Sequence, residues 1–212
     1  MTPHAPRSVA RGGWRRLVLG VTTSLSLLAT ACSSGGEATE EPAEEYARAS
    51  ELCDGTISPE AGAALEEIMG TSQFSEPDQS DLARTLREAA TAETQYTDFC
   101  DLYTPGGESS DTHLQLGMSD TPITNTQDDP LRVFYDAGQL AYAAQASGII
   151  SFPCSNASGG YVVVNLYTYG DTMATRDDQI LVANSVARAV AGELGCLEEA
   201  GLPEGMPRRV GG

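Results

Sequence analysis

His113 is the natural starting point for chemistry, because the chain after residue 31 contains no other histidine. A lone histidine can serve as a general base or a metal ligand. It lies in an alternating run in which Leu114, Leu116 and Met118 take one parity and His113, Gln115 and Gly117 the other. That alternation is a half-buried strand and turns His113 toward solvent. Acid pairs occur at Asp128-Asp129, Asp177-Asp178 and Glu198-Glu199. Glycosidase chemistry needs two carboxylates facing each other across a cleft, and adjacent acids on a loop or a first helical turn point apart. Asp177 and Asp178 are accounted for as complements of a helix dipole. No G-x-S-x-G elbow, no D-x-D-x-D-G calcium loop and no phosphate-binding glycine motif is present. The chain has no lysine, which excludes Schiff-base and P-loop chemistry. No catalytic residue, metal ligand or cofactor site is therefore assigned.

Tyrosines offer a different chemistry. Residues 161–169 read Tyr-Val-Val-Val-Asn-Leu-Tyr-Thr-Tyr, β-branched or aromatic at all but Asn165 and Leu166. Tyr161, Tyr167 and Tyr169 share one parity, so they line one face of a strand. Val162, Val164, Leu166 and Thr168 line the other, which is expected to meet the helices. The tyrosine face is the candidate surface for a ligand or partner, since tyrosine suits interfaces. The alternative is that this face is also covered, for example by a loop over residues 120–138. Tyr103, Tyr142 and Phe152 complete the aromatic set.

The first residues carry an address. Residues 1–31 hold Arg7, Arg11, Arg15 and Arg16, no acid, and an apolar run over 17–31 too short to span a bilayer comfortably. The run ends Leu28-Ala29-Thr30-Ala31-Cys32 and is followed by Ser33-Ser34-Gly35-Gly36, which resembles a bacterial lipobox with Cys32 as the lipidated residue. Ala29 stands where leucine is commonest. Arg15-Arg16 also resembles a twin-arginine export signal. The reading is a signal peptide over 1–31, a flexible tether over 32–43, one domain over 44–197 and a Pro/Gly-rich tail over 198–212. A diacylated, N-acylated cysteine would anchor the chain stably in the membrane, facing the extracellular side.

The whole chain has 212 residues and a formal charge of −18. Without residues 1–31 it has 181 residues, 8 arginines and all 30 acids, for a charge of −22. That length suits one domain with a proper core. Such acidity argues against nucleic acid as a partner and predicts repulsion from anionic headgroups. The composition also excludes collagen, a long coiled coil and a multispan membrane protein.

Cys53, Cys100, Cys154 and Cys196 remain after Cys32, and an even number in an exported chain implies two disulfides. Of the three possible connectivities, Cys53–Cys100 and Cys154–Cys196 join cysteines adjacent in order, each tying a helix to a strand. The elements follow from pattern. A short helix is expected over 44–53. Ser58-Pro59-Glu60 starts a helix that Gly70 ends. Another runs from 80 to about 94. Strands are expected over 96–103, 114–118, 139–144, 149–154 and 161–169, with a turn at 156–160. A long helix begins at Asp177 and closes at Gly195. Helices, then strands, then a helix predict an α+β fold: an antiparallel sheet of about five strands with the helices packed on one face.

The chain resembles actinobacterial, Streptomyces-like extracytoplasmic lipoproteins of unknown function. The residues that carry this are the lipobox at Cys32, Leu52-Cys53-Asp54-Gly55 before Ser58-Pro59-Glu60, Cys100 opening a strand and Phe152-Pro153-Cys154 ending one. Lysine depletion with arginine and alanine usage suits a high-GC genome. The resemblance implies a disulfide-stabilised extracytoplasmic domain and no activity. The expectation is a membrane-tethered, non-enzymatic domain that binds a protein, an envelope component or a small molecule. The alternative is an envelope hydrolase using His113 and a carboxylate, and a third possibility is a purely structural spacer.

Overall fold

A computed structural model describes residues 46–76, 80–91, 96–106, 112–124, 131–168 and 176–211. All lie within one compact unit. The leader, Cys32 and the tether fall outside the described residues.

Seven antiparallel strands form one sheet in the order β1-β2-β6-β5-β4-β3-β7. They are β1 (Thr97–Leu102), β2 (Thr112–Ser119), β3 (Val133–Asp136), β4 (Leu140–Ala144), β5 (Ser147–Pro153), β6 (Tyr161–Thr168) and β7 (Arg208–Arg209). Among the described residues four helices accompany them: α1 (Pro59–Met69), α2 (Leu82–Ala89), α3 (Arg176–Glu193) and α4 (Leu197–Ala200). The fold is α+β, as expected, but the sheet has two strands beyond the expected five. β3 is four residues without clean alternation, and β7 is two residues inside the Pro/Gly-rich C-terminal stretch.

Side-chain parity explains the layering. Cross-strand partners share a face, so Cys100 joins Leu114, Leu166 and Gly148 on one side, beside Leu116, Val164, Ile150 and Ala141. α3 lies on that side: a Cβ on Gly148 would stand 2.7 Å from the Gln179 carbonyl oxygen. Only glycine lets the helix backbone approach the sheet so closely. Thr112 Oγ1 reaches Met69 Sδ of α1 at 3.2 Å, which places α1 on the same face. The apolar stripe of α3, Ile180, Ala183, Val186, Ala187 and Val190, is fully buried.

Local sequence sets the ends of α1 as read. Ser58 Oγ accepts from the Ala61 amide at 3.2 Å, Pro59 occupies the first helical position, and Gly70 closes the helix at φ +65°. Two elements differ from expectation. The stretch over 44–53 is no helix where it is described; short 3-10 turns at Ala49–Glu51 and Cys53–Gly55 replace it. Cys53 and Asp54 both take positive φ there, which breaks helical geometry. α2 is also shorter than expected and is capped at Ala90.

Two cysteine pairs stand at disulfide distance, Cys53–Cys100 with Cα atoms 5.4 Å apart and Cys154–Cys196 at 5.3 Å. The first ties the turn before α1 to β1. The second ties the end of β5 to the turn after α3.

The C-terminal stretch is not a loose tail. Asn184 Nδ2 donates to the Pro203 and Gly205 carbonyls, and Arg188 Nη1 to the Leu202 carbonyl. β7 then pairs with β3 through Tyr135 and Asp136. The domain therefore extends past residue 197 to the end of the described chain.

Candidate functional site

The face of the sheet opposite α3 carries the tyrosines. Register sorts it into rows that run across the strands, with neighbours in a row about 4.8 Å apart. One row runs Asp101, His113, Tyr167, Ser147 across β1, β2, β6 and β5. The next runs Asp98, Gln115, Asn165, Ile149, Tyr142, Phe134. Tyr161 stands with Ser119 and Pro153 at the far end. Tyr161 and Tyr167 are six residues apart on β6, roughly 20 Å along an extended strand.

Parity therefore puts Tyr161 and Tyr167 on one face, as the alternation predicts, and Tyr169 lies outside the described residues. Both tyrosines are half-buried. The ground between them is not open. Val163 is 2% exposed, while Asn165 and Ser151 are fully buried. Among the described residues neither the Asn165 amide nor Ser151 Oγ has a hydrogen-bond partner. The enclosed middle separates the two tyrosine ends of this face. Phe152 faces the helices and is buried there.

His113 does not simply point to solvent. Its Nδ1 lies 2.5 Å from Asp101 Oδ1, with the histidine side chain 27% exposed and the aspartate 38%. Cross-strand pairing causes this contact, since directly opposed side chains meet. Alongside it, Gln115 Nε2 donates to Asp98 Oδ1 at 2.6 Å. At the other side of the face, Arg132 stacks 4.5 Å over the Tyr142 ring, which meets Phe134 at 5.9 Å. Sequence reading missed Asp98, Asp101, Gln115 and Asn165, because their roles depend on register between strands.

Asp177 accepts from Tyr135 Oη and Arg209 and leads into α3, while Glu199 accepts from the Ser155 amide and hydroxyl. The Ser155 amide hydrogen bond chiefly holds the Glu199 carboxyl below its ordinary range. Asp128 and Asp129 lie outside the described residues. Among the described residues no group of three His, Cys, Asp or Glu side chains is placed to hold a metal ion. No described helix is long and apolar enough to cross a membrane.

The row Asp101–His113–Tyr167 offers a carboxylate, an imidazole and a phenol side by side. Such a row can hydrogen-bond polar groups and stack against apolar ones. An oriented imidazole with a carboxylate on Nδ1 is also half of an acid–base machine. Comparison of the chain with protein-family models, with curated proteins and with solved structures finds no match.

Proposed function

We propose that the protein is a lipid-anchored extracytoplasmic binding domain that engages its ligand or partner through the Tyr167 end of the sheet. The carrying observation is the cross-strand row Asp101–His113–Tyr167–Ser147, which sets an aromatic ring among hydrogen-bonding groups on the face away from the helices. Tyr161 marks the other end of that face. The partner is a protein, an envelope component or a small molecule, not nucleic acid, since the acidic chain would repel phosphates.

The His113–Asp101 contact favours a second reading, a hydrolase of envelope material with His113 as base. One experiment separates the two. A photo-crosslinking residue at Tyr167 suits a chain without lysine, where amine-reactive reagents fail. Capture in cells should yield one dominant partner, and Tyr161→Ser with Tyr167→Ser should reduce affinity about tenfold or more without unfolding. His113→Ala should weaken capture without abolishing it under the binding reading. Under the hydrolase reading it abolishes turnover of envelope material instead. Unchanged affinity in the tyrosine double variant would sink the binding reading at this face.

A further inference from the structure

The edge of the sheet formed by β1 and β2 is irregular in one place. The register of β1 against β2 shifts between Asp98 and Cys100, so Asp98 stands opposite Gln115 and Asp101 opposite His113. Phe99 is the extra residue of a β-bulge. Regular alternation sends residues three apart to opposite faces of a strand. The bulge instead brings Asp98 and Asp101 to one face, the face away from α3, while Phe99 and Cys100 are buried. Bulges recur beside functional sites because they re-aim a side chain without ending the strand.

Two parallel polar pairs result. Gln115 Nε2 donates to Asp98 Oδ1 at 2.6 Å, and His113 Nδ1 lies 2.5 Å from Asp101 Oδ1. Each pair fixes two planar groups against each other and leaves hydrogen-bonding capacity over. Among the described residues the second oxygen of each aspartate and the Gln115 carbonyl oxygen hold no hydrogen bond. Asp98 is exposed, and Asp101 and Gln115 are half-buried, so this capacity faces solvent. Among the described residues no arginine pairs with either carboxylate. Tyr167 stands next to His113 in the same row, with Ser147 beyond it. The patch covers roughly 14 Å across the strands and 7 Å along them.

We propose that this patch binds a neutral glycan, a chain of sugar rings without phosphate or carboxylate. The inference rests on the binding reading of the Tyr167 end and names the class of its ligand. A sugar hydroxyl both donates and accepts, so neighbouring hydroxyls can donate to the two carboxylates and accept from the second N–H of the Gln115 amide. Hydrogen bonds to an ionised acceptor are the strong ones. The C–H face of a sugar ring is apolar and lies flat on an aromatic ring such as that of Tyr167. An anionic ligand meets two carboxylates without a cation beside them, on a chain of net charge −18, and is repelled. A single cation gains less than two hydroxyls do, because the two pairs stand in rows roughly 7 Å apart and do not close on one charge. An apolar ligand would strip water from both aspartates and return nothing.

The test is calorimetric titration of the full-length chain, held in a neutral detergent without a sugar headgroup, with cellohexaose, chitohexaose, hexagalacturonate and hexalysine. At least one of the two neutral glycans should bind saturably, with the same affinity in low and high salt. Hexagalacturonate should not bind. Asp98→Ala and Gln115→Ala should each weaken the glycan about tenfold. Glu193→Gln removes one negative charge from α3, on the other side of the sheet, and should leave the affinity unchanged. Absence of saturable binding by either neutral glycan overturns the inference. So does equal or tighter binding of hexalysine or hexagalacturonate, or an unaltered affinity in both alanine variants. The binding reading fails separately. A dominant protein captured at Tyr167 with no glycan bound removes the glycan and keeps that reading, whereas neither glycan nor capture removes both.

Discussion

Asp177 holds three donors on two oxygens. Tyr135 Oη and Arg209 Nε both donate to Oδ1 at 2.8 Å, and Arg209 Nη2 to Oδ2 at 2.8 Å. The Arg209 hydrogen bond chiefly holds the Asp177 carboxyl below its ordinary value, against a smaller opposing effect of burial. Burial first, and then the Asp177 contact, push the Tyr135 phenol up, so it remains a donor at neutral pH. A depressed folded pKa means that the stabilisation is present above the unfolded aspartate value, about 3.9. It is lost as pH falls below that and through the lower folded value. The element at stake is β7, whose next residue donates Val210 N to the Phe134 carbonyl. Asp177→Asn should raise hydrogen exchange at Arg209 and Val210 about tenfold at neutral pH, after correction for intrinsic rates. The unaltered chain should show the same loosening only below about pH 4, and the variant no such transition. Equal protection in both chains would show that the pair does not hold the strand. The helix-start role of Asp177 was legible from its place before an apolar stripe. Its partner 32 residues on was not, because long-range ion pairing leaves no periodic trace. His113 makes the same point: alternation gave its face, while Asp101 became its neighbour only through register.

Elements were legible where local chemistry is self-sufficient. Ser58 with Pro59 sets the start of α1, Gly70 its end, and the Val162–Val164 run flanked by tyrosines sets β6. Where an element depends on its neighbours, sequence said less. β3 is stabilised by ladders on both sides, and β7 exists because the Asn184 and Arg188 side chains hold the preceding chain. The favoured cysteine pairing rested on each pair joining cysteines adjacent in order, and both pairs stand at disulfide distance. The packing of α3 turns on one glycine whose importance is visible only in three dimensions. At Gly148 an added Cβ would meet the Gln179 carbonyl oxygen at 2.7 Å and its carbon at 3.0 Å, and backbone atoms cannot swing aside. Gly148→Ala should therefore destabilise the domain by about 1–3 kcal/mol, as overpacking does. Gly192 gives the opposite sign. It lies near the end of α3 with nothing within 4 Å of an added Cβ, so Gly192→Ala should stabilise by up to about 1 kcal/mol. Urea unfolding of the two variants checks both signs at once. A neutral Gly148→Ala would mean that α3 can shift off the sheet without loss.

At the scale of the molecule, charge bears on the proposed lipid anchorage. The described cysteines pair among themselves, which leaves Cys32 as the one cysteine of five outside those pairs. The chain beyond it carries a charge of −22. Anionic headgroups repel such a domain, so no electrostatic attraction would keep it at a membrane. Retention would have to come from acyl chains on Cys32, and two or three of them suffice for stable anchoring. An eleven-residue Ser/Gly/Glu-rich tether would then hold the domain within roughly 20 Å of the surface. This account predicts that the intact chain stays in the membrane fraction through a high-salt wash and incorporates an alkyne-tagged fatty acid. High salt should even tighten its association slightly by screening the repulsion. Cys32→Ala should lose the label and move to the soluble fraction unless the uncleaved leader retains it. Adding a variant cut to begin at residue 33 behind a cleavable secretion leader removes that possibility. If that leaderless domain still sediments with membranes, a protein or envelope partner rather than lipid holds it there, and the Tyr167 end of the sheet becomes the first place to look for the contact.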